Sequence, residues 1–203
     1  MRISDGNNSL PSEHFEAMYR KSIDPWKYET SAYEQEKYQN TLAVLPRRRY
    51  QKAFEIGCSI GVLTKLLSIY CDELLAVDCS LSALQHAQKR CAGRSQVSFQ
   101  QMSIPSDFPS SSFDLILLSE VGYYWSLDDL QLARECITHH LEPNGHLLLV
   151  HWALYSKDHL VSGDMVHDIF IHNSNDQLVH LLGKRIKSYG QCYRIDLFKK
   201  VLD

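Results

Sequence analysis

No apolar run in this sequence approaches the ~20 residues that a membrane-spanning helix needs, so no membrane span is expected. The start, Met1-Arg2-Ile3-Ser4-Asp5-Gly6-Asn7, is polar and lacks the apolar core of a signal peptide. Cysteine pairing is missing as well. Six cysteines are present, Cys58, Cys71, Cys79, Cys91, Cys136 and Cys192, and none forms a C-x-x-C pair. Scattered thiols of this kind read as reduced side chains in a cytoplasmic protein, without a disulfide frame or a zinc cluster. His139, His140, His159, His172 and His180 show no metal-ligand spacing, and no metal is expected. Basic charge is not in excess either. A net charge of −3 gives no electrostatic case for a nucleic-acid partner or a membrane surface. Repeats and interdomain linkers are absent. The 203 residues, 44% of them hydrophobic, suit one domain with a sizeable core, as a monomer or homodimer.

What is present starts with Ala53-Phe54-Glu55-Ile56-Gly57-Cys58-Ser59-Ile60-Gly61-Val62-Leu63-Thr64. A short apolar strand, a small-residue loop and an apolar helix follow one another. Glycine lets the backbone turn sharply and lets a ligand approach closely. The following helix points free N–H groups and its positive end at the bound group. The dinucleotide fingerprint is G-x-G-x-x-G, whereas this loop reads G-x-S-x-G with Val62 next, which disfavours a nicotinamide or flavin. Glu55 would repel a pyrophosphate and suits a ligand with an amino group and positive charge. S-adenosyl-L-methionine carries an α-amino group, a carboxylate and a sulfonium. At this point the sequence resembles the class I, Rossmann-like methyltransferases, whose first motif is E/D-x-G-x-G-x-G. Ser59 replaces the middle glycine, small for small. Glu73-Leu74-Leu75-Ala76-Val77-Asp78 reads as the next strand. Asp78 lies about twenty residues past Gly57, where an acid accepts ribose hydroxyls. The alternative is local: Asp78 or Ser80 caps the helix Leu81–Arg90.

The order of elements supports an α/β fold. Residues 1–10 read as a disordered tail, 11–50 as an N-terminal helical lid, and 51–203 as the methyltransferase domain. Pro11–Tyr28 carries Phe15, Met18, Tyr19 and Trp26 and is expected to be helical in part. Ser31-x-x-Glu34 reads as a capping box opening a helix to about Leu45. Within it, Tyr33-x-x-x-Lys37 has the spacing of a short-chain dehydrogenase dyad. It precedes the glycine loop, the wrong side for that chemistry, and reads as a helix face. Strands are expected near Ala53–Ile56, Leu74–Val77, Val97–Gln100, Phe113–Leu118 and His146–His151. Helices are expected near Ile60–Ile69, Leu81–Arg90 and Leu127–His140, the last capped by Ser126. Apolar strands such as Leu115-Ile116-Leu117-Leu118 suit a parallel sheet covered on both faces. Leu178–Lys187 and Gln191–Lys199 flank Ser188-Tyr189-Gly190 and read as a hairpin. The expected whole is a doubly wound, mostly parallel seven-stranded sheet ending in an antiparallel hairpin, as in class I methyltransferases.

A narrower resemblance covers roughly residues 15–199. Asp24-Pro25-Trp26, the Tyr33–Tyr38 helix, the Phe54–Gly61 loop and Ser119-Glu120-Val121-Gly122-Tyr123-Tyr124 carry it. Leu141–His146, His151-Trp152 and Gly163-Asp164-x-Val166-His167 add to it. These stretches resemble the nodulation protein S family of bacterial methyltransferases. The resemblance implies transfer of a methyl group to nitrogen on amino-sugar oligosaccharides. It places the cofactor against Glu55, Gly57, Cys58, Ser59, Gly61, Asp78, Cys79, Met102, Ser103, Ser119 and Glu120. Two departures stand out. Ser103 occupies the place where the family tends to carry an acid near the adenine. Gly122 replaces a bulky apolar residue and is expected to widen the acceptor side.

For the chemistry, candidates lie at the carboxyl ends of the fourth and fifth strands, where open α/β sheets bind ligands. Glu120 and Tyr124 either wall the cofactor and acceptor pocket or pack at a helix start. His151 acts as a general base or is a histidine satisfied by backbone at a strand end. Asp164 and His167, three apart, share a helix face and either line the acceptor pocket or serve the helix. Three functions stay open: N-methylation of a small-molecule or oligosaccharide acceptor, O-methylation of a hydroxyl, and cofactor binding without catalysis. The Asn/Asp-Pro-Pro-Tyr motif of DNA amino-methyltransferases is absent, as is the Pro-Cys pair of cytosine methyltransferases.

Overall fold

The computed structural model describes residues 8–154, 156–172 and 177–201. Seven strands form one sheet: β1 Tyr50–Ile56, β2 Cys71–Asp78, β3 Val97–Gln101, β4 Phe113–Ser119, β5 Leu141–Trp152, β6 Leu178–Ser188 and β7 Gln191–Lys200. Their order is β3-β2-β1-β4-β5-β7-β6. The first five run parallel, and β7 inserts antiparallel to both β5 and β6. This is the expected doubly wound sheet with its terminal hairpin.

The helices are α1 Ser12–Lys21, α2 Ala32–Ala43, α3 Val62–Leu67, α4 Leu81–Arg90, α5 Leu127–His140 and α6 Gly163–His172. Short 3-10 turns occupy Ser68–Tyr70 and Gly122–Tyr124. Caps fix the boundaries that the sequence indicates. Ser80 Oγ accepts from Ala83 N at 3.1 Å, and Ser126 Oγ accepts from Asp129 N at 3.2 Å. Each satisfies one of the orphan donors of a first turn. Ser31 Oγ does the same for Glu34 N at 3.4 Å, but the expected capping box is not completed: the Glu34 carboxylate pairs with Lys37 and Ser31 N donates to Lys27 O.

Alternation along β4 builds the core on both faces. Leu115 and Leu117 pack with Leu63 and Leu67 of α3, while Ile116 and Leu118 pack with Leu130, Ala133 and Ile137 of α5. Successive strand side chains point to opposite faces, so an unbroken apolar run is what a sheet sandwiched between helices requires.

Three expectations shift. The helix expected over Ile60–Ile69 is the shorter α3, which continues as the 3-10 turn. β5 starts at Leu141 rather than His146, because the Pro143-Asn144-Gly145 turn signal is absorbed as an irregularity in the β4–β5 register, with Asn144 at φ +63°. Of the tail expected to be disordered, residues 1–7 lie outside the described residues, and the rest is docked. Leu10 N donates to Tyr124 O at 3.0 Å, and Ser126 N donates to Ser9 Oγ at 2.8 Å. Among the described residues no helix is long and apolar enough to cross a membrane.

The strand order reverses between β1 and β4, so the connections leaving these strands diverge and open a crevice at their carboxyl ends. The glycine loop, Asp78 and Ser119-Glu120 all stand at that edge.

Candidate cofactor and acceptor site

A cavity of about 450 Å³ fills the crevice and is roofed by the N-terminal segment. Of the residues expected to hold a cofactor, all but Gly61 line it. Gly61 instead sets helix packing, since a Cβ there would come within 2.9 Å of Ala87 Cα on α4. Of the residues expected to act on the acceptor, Glu120 and Tyr124 line the cavity, whereas His151, Asp164 and His167 do not.

The loop after β1 is pinned by backbone. Gly57 N and Cys58 N both donate to Val77 O at 2.8 Å. Gly57 sits at φ +77°, and a Cβ would lie 2.1 Å from Val121 Cγ2. Glycine is therefore required by the loop after β4 pressing from the other side of the crevice. Ser59 adopts the left-handed conformation, φ +52°, at a cost of about 1 kcal/mol for a residue with a side chain. Two bonds hold it there: Tyr19 Oη donates to Ser59 Oγ at 2.6 Å, and Ser59 N donates to Asp78 Oδ2 at 2.9 Å.

Glu55 is 2% exposed, and its Oε2 has no hydrogen-bond partner among the described residues. Burial pushes its carboxyl up to about 8, because an unpaired charge is poorly solvated there. A buried acid with one oxygen unpartnered among the described residues, on the wall of a cavity, fits a ligand that brings an ammonium group. Asp78 is tied to the scaffold through Ser59 N and through Ser80 N, which donates to Oδ1 at 2.9 Å. Helix capping falls to Ser80. Ser103 lines the cavity and donates its N–H to Asp107 Oδ2 at 3.0 Å, so the acid nearest this loop supports the backbone.

Glu120 also lines the cavity, at φ +59°. Its Oε1 accepts from Lys37 Nζ at 2.9 Å, and Oε2 accepts from Trp152 N at 3.3 Å and from the Tyr123 hydroxyl. Lys37 is also 2.9 Å from Glu34. Burial alone would lower its ammonium, but the Glu120 and Glu34 carboxylates outweigh burial and hold it above the ordinary lysine value. Tyr28, Tyr38 and Tyr124 line the cavity as well. Burial raises all three phenols, so they are neutral. The lysine that reads as part of a helix face is thus an interior counter-ion. Only the aromatic density of residues 15–28 hinted at this wall.

The geometry moves His151 from the site to its support. It is fully buried, with Nε2 accepting from Gly122 N at 3.2 Å and Nδ1 3.0 Å from His167 Nε2. Burial, with His167 and Lys37 nearby, lowers it well below the ordinary histidine value. With both nitrogens engaged, it has no free face toward an acceptor. His167 Nδ1 lies 2.5 Å from Asp196 Oδ2. Asp164 points away, pairing with Arg185 and, at 3.5 Å, with Arg194. Gly122 does not widen the pocket: a Cβ would lie 2.7 Å from Val166 Cγ1, so its size answers to α6 packing.

The sheet order, the crevice and its acids at the strand ends define the Rossmann-like fold of class I methyltransferases. The Nodulation protein S (NodS) family profile matches residues 12–156, and the chain belongs to that family. It is 34% identical over 102 residues to a nodulation protein S of Bradyrhizobium diazoefficiens strain USDA 110, covering 50% of this chain and 49% of that one. It is 30% identical over 129 residues to that of Sinorhizobium fredii strain NGR234, covering 62% and 59%. The chain thus spans about half to three-fifths of the length of these relatives. Among solved structures, the N-methyltransferase NodS of Bradyrhizobium japonicum WM9 in complex with S-adenosyl-L-homocysteine superposes with a TM-score of 0.81 at 22% identity, covering 93% of this chain and 98% of that one. A putative methyltransferase from Pseudomonas syringae gives 0.72 at 31% identity, covering 84% and 100%.

Proposed function

We propose that this chain is an S-adenosyl-L-methionine-dependent N-methyltransferase whose acceptor is an amine on an amino sugar or oligosaccharide. The observation that carries the reading is Glu55, a buried acid with an unpartnered oxygen beside the glycine loop. When bound, the cofactor supplies an electrophilic methyl group. Glu55 and the Gly57–Ser59 backbone would hold its amino-acid end. Asp78 would hold the ribose, and Met102 and Ser103 would flank the adenine.

The protein's own contribution is position and exclusion of water. Glu34, Glu120 and neutral tyrosine rings line the cavity, and the two carboxylates share the single Lys37 ammonium, which leaves a net negative charge on that wall. Such a wall draws an ammonium by charge and by ring faces. An amine must be neutral to attack; a carboxylate beside it holds the ammonium form by charge and helps the reaction only by accepting its proton as a general base. The segment from Asn8 to Tyr38 contributes lining residues and acts as a lid, whereas Arg47, in the stretch also expected to belong to it, pairs with Asp114 at the start of β4. The Bradyrhizobium NodS is an N-methyltransferase, which agrees with this reading.

The test is a panel of amino sugars, amino-sugar oligosaccharides, phenols and carboxylates with isotope-labelled cofactor, read by mass shift. Label on amines alone is expected. Label on a hydroxyl and on no amine would replace the acceptor assignment with O-methylation. Calorimetry without heat for either S-adenosylmethionine or S-adenosylhomocysteine would remove the cofactor assignment itself.

A further inference from the structure

A polar chain crosses the core behind the cavity and ends on the loop after β4. It links Gly122 N to His151 at 3.2 Å, His151 to His167 at 3.0 Å, and His167 to Asp196 at 2.5 Å. His151, His167 and Asp196 are each fully buried. Its direction is set by one fact: a backbone N–H can only donate. His151 Nε2 must therefore accept from Gly122, so His151 carries its hydrogen on Nδ1 and donates to His167 Nε2. His167 in turn carries its hydrogen on Nδ1 and donates to Asp196. Both imidazoles are neutral, and no donor or acceptor along the line is free to turn.

The far end is anchored. Asp196 Oδ2 also accepts from Arg194 Nε at 2.6 Å, and Oδ1 accepts from His180 Nε2 at 2.5 Å. Burial opposes its ionisation, but the hydrogen bond from His167 and the charge of Arg194 hold its carboxyl below the ordinary range. Lys37 and His159 face His151, while Arg194 and Asp164 face His167. Apolar packing alone would not place two histidines and an aspartate in this interior.

The near end carries strain. Glu120 is a left-handed non-glycine residue, and Val121 presses on the position a Gly57 Cβ would take. One side of this turn aims a carboxylate at the acceptor end, and the other bounds the glycine loop. We propose that His151 is a positioning residue: through the Gly122 N–H, the His151–His167–Asp196 chain holds the Glu120–Gly122 turn in the shape that sets Glu120 and Val121 against the cavity. The consequence for ligands rests on the proposed function of that cavity.

Two measurements on the full chain test this. In nitrogen-15 spectra of the wild type, His151 and His167 should both appear as neutral Nδ1–H tautomers across neutral pH. An Nε2–H tautomer at His151 would overturn the proposal without any ligand. Next, His151→Phe keeps the ring volume and deletes the acceptor, while His151→Gln keeps an acceptor near the place of Nε2. Gly122 amide exchange should quicken in the first and recover in the second. S-adenosylhomocysteine affinity should fall about tenfold in the first, the scale of one lost hydrogen bond, and recover in the second. A folded His151→Phe variant with an unmoved Gly122 amide and unchanged affinity would also overturn it. If His151→Phe does not fold, the wild-type tautomers decide. A wild type that binds no S-adenosylhomocysteine would overturn the proposed function, while tautomers and amide exchange still judge the positioning role.

Discussion

The Lys37 ammonium on α2 donates to Glu120 Oε1 across 2.9 Å, joining the N-terminal helices to the loop after β4. The lysine side chain is 2% exposed and the glutamate 11%. Removing one partner of such a buried pair strands the other charge, which costs about 3–5 kcal/mol, far more than a surface pair is worth. Lys37→Met should therefore lower unfolding free energy on that scale in urea titration. Adding Glu120→Gln should return part of the loss, because one of the two stranded carboxylates disappears while Glu34 remains. A single variant that loses less than ~1 kcal/mol would show that the pair is solvated in solution.

Glu55 gives a prediction whose sign can be worked out. Its carboxyl is raised to about 8 by burial, so the folded chain holds this proton where the unfolded chain has released it. The stability it contributes is present at acid pH and is lost as pH rises through the window from the ordinary carboxylate range to about 8. Pairing with the ammonium of a ligand would ionise it. Binding of S-adenosylhomocysteine near neutral pH should then release roughly one proton per ligand. Calorimetry in buffers of different ionisation enthalpy reads that number directly. Glu55→Gln should abolish the release, and a buffer-independent heat in the wild type would rule out the pairing.

Asp78 tests the other end of the same ligand. Its two oxygens are already tied to Ser59 N and Ser80 N, so the acid arrives pre-oriented. Asp78→Ala should weaken S-adenosylhomocysteine binding by about 1–3 kcal/mol, the range for losing hydrogen bonds to a charged group. It should also loosen the glycine loop, visible as faster amide exchange at Ser59. Unchanged affinity would leave Asp78 a loop anchor only.

Local signals carried most of the fold. The bounds of α4 and α5 were readable because Ser80 and Ser126 accept from their own first turns, and β4 because four apolar residues in a row need two covered faces. Ser188-Tyr189-Gly190 marked the final hairpin. The glycine loop and Asp78 were readable for the same reason, being backbone features of neighbouring strand ends. What was hidden is what the topology brings together. His151 and His167 are 16 apart in sequence, and His167 and Asp196 are 29 apart, with no periodicity linking them. Lys37 sits on an amphipathic helix where a lysine ordinarily meets water. The approach of the β4 loop, with packing on Tyr193 of β7, turns that face inward. Gly57 and Gly122 looked like room for a ligand, yet a Cβ at either would meet Val121 or Val166 first.

The docking of α1 depends on a second acid. Glu16 of α1 accepts from Ser80 Oγ and Ser82 Oγ at 2.7 Å and from Ser82 N at 3.1 Å, at the start of α4. Those serine hydroxyls, followed by the Ser82 amide, hold its carboxyl down at about 2. A negative charge also suits the positive end of a helix. A depressed carboxyl contributes stability above the ordinary range and loses it as pH falls toward that lower value. Glu16→Gln keeps an acceptor but removes the charge and one acceptor oxygen. We expect it to fold, to bind S-adenosylhomocysteine, and to release it several-fold faster in stopped-flow exchange, in keeping with about 1 kcal/mol of lost docking. Deleting residues 1–28, which also removes Tyr19 from Ser59, should quicken exchange further and abolish transfer, since an open site admits water. Equal release rates for wild type, Glu16→Gln and the truncated chain would mean that α1 is a fixed wall and that ligands enter elsewhere.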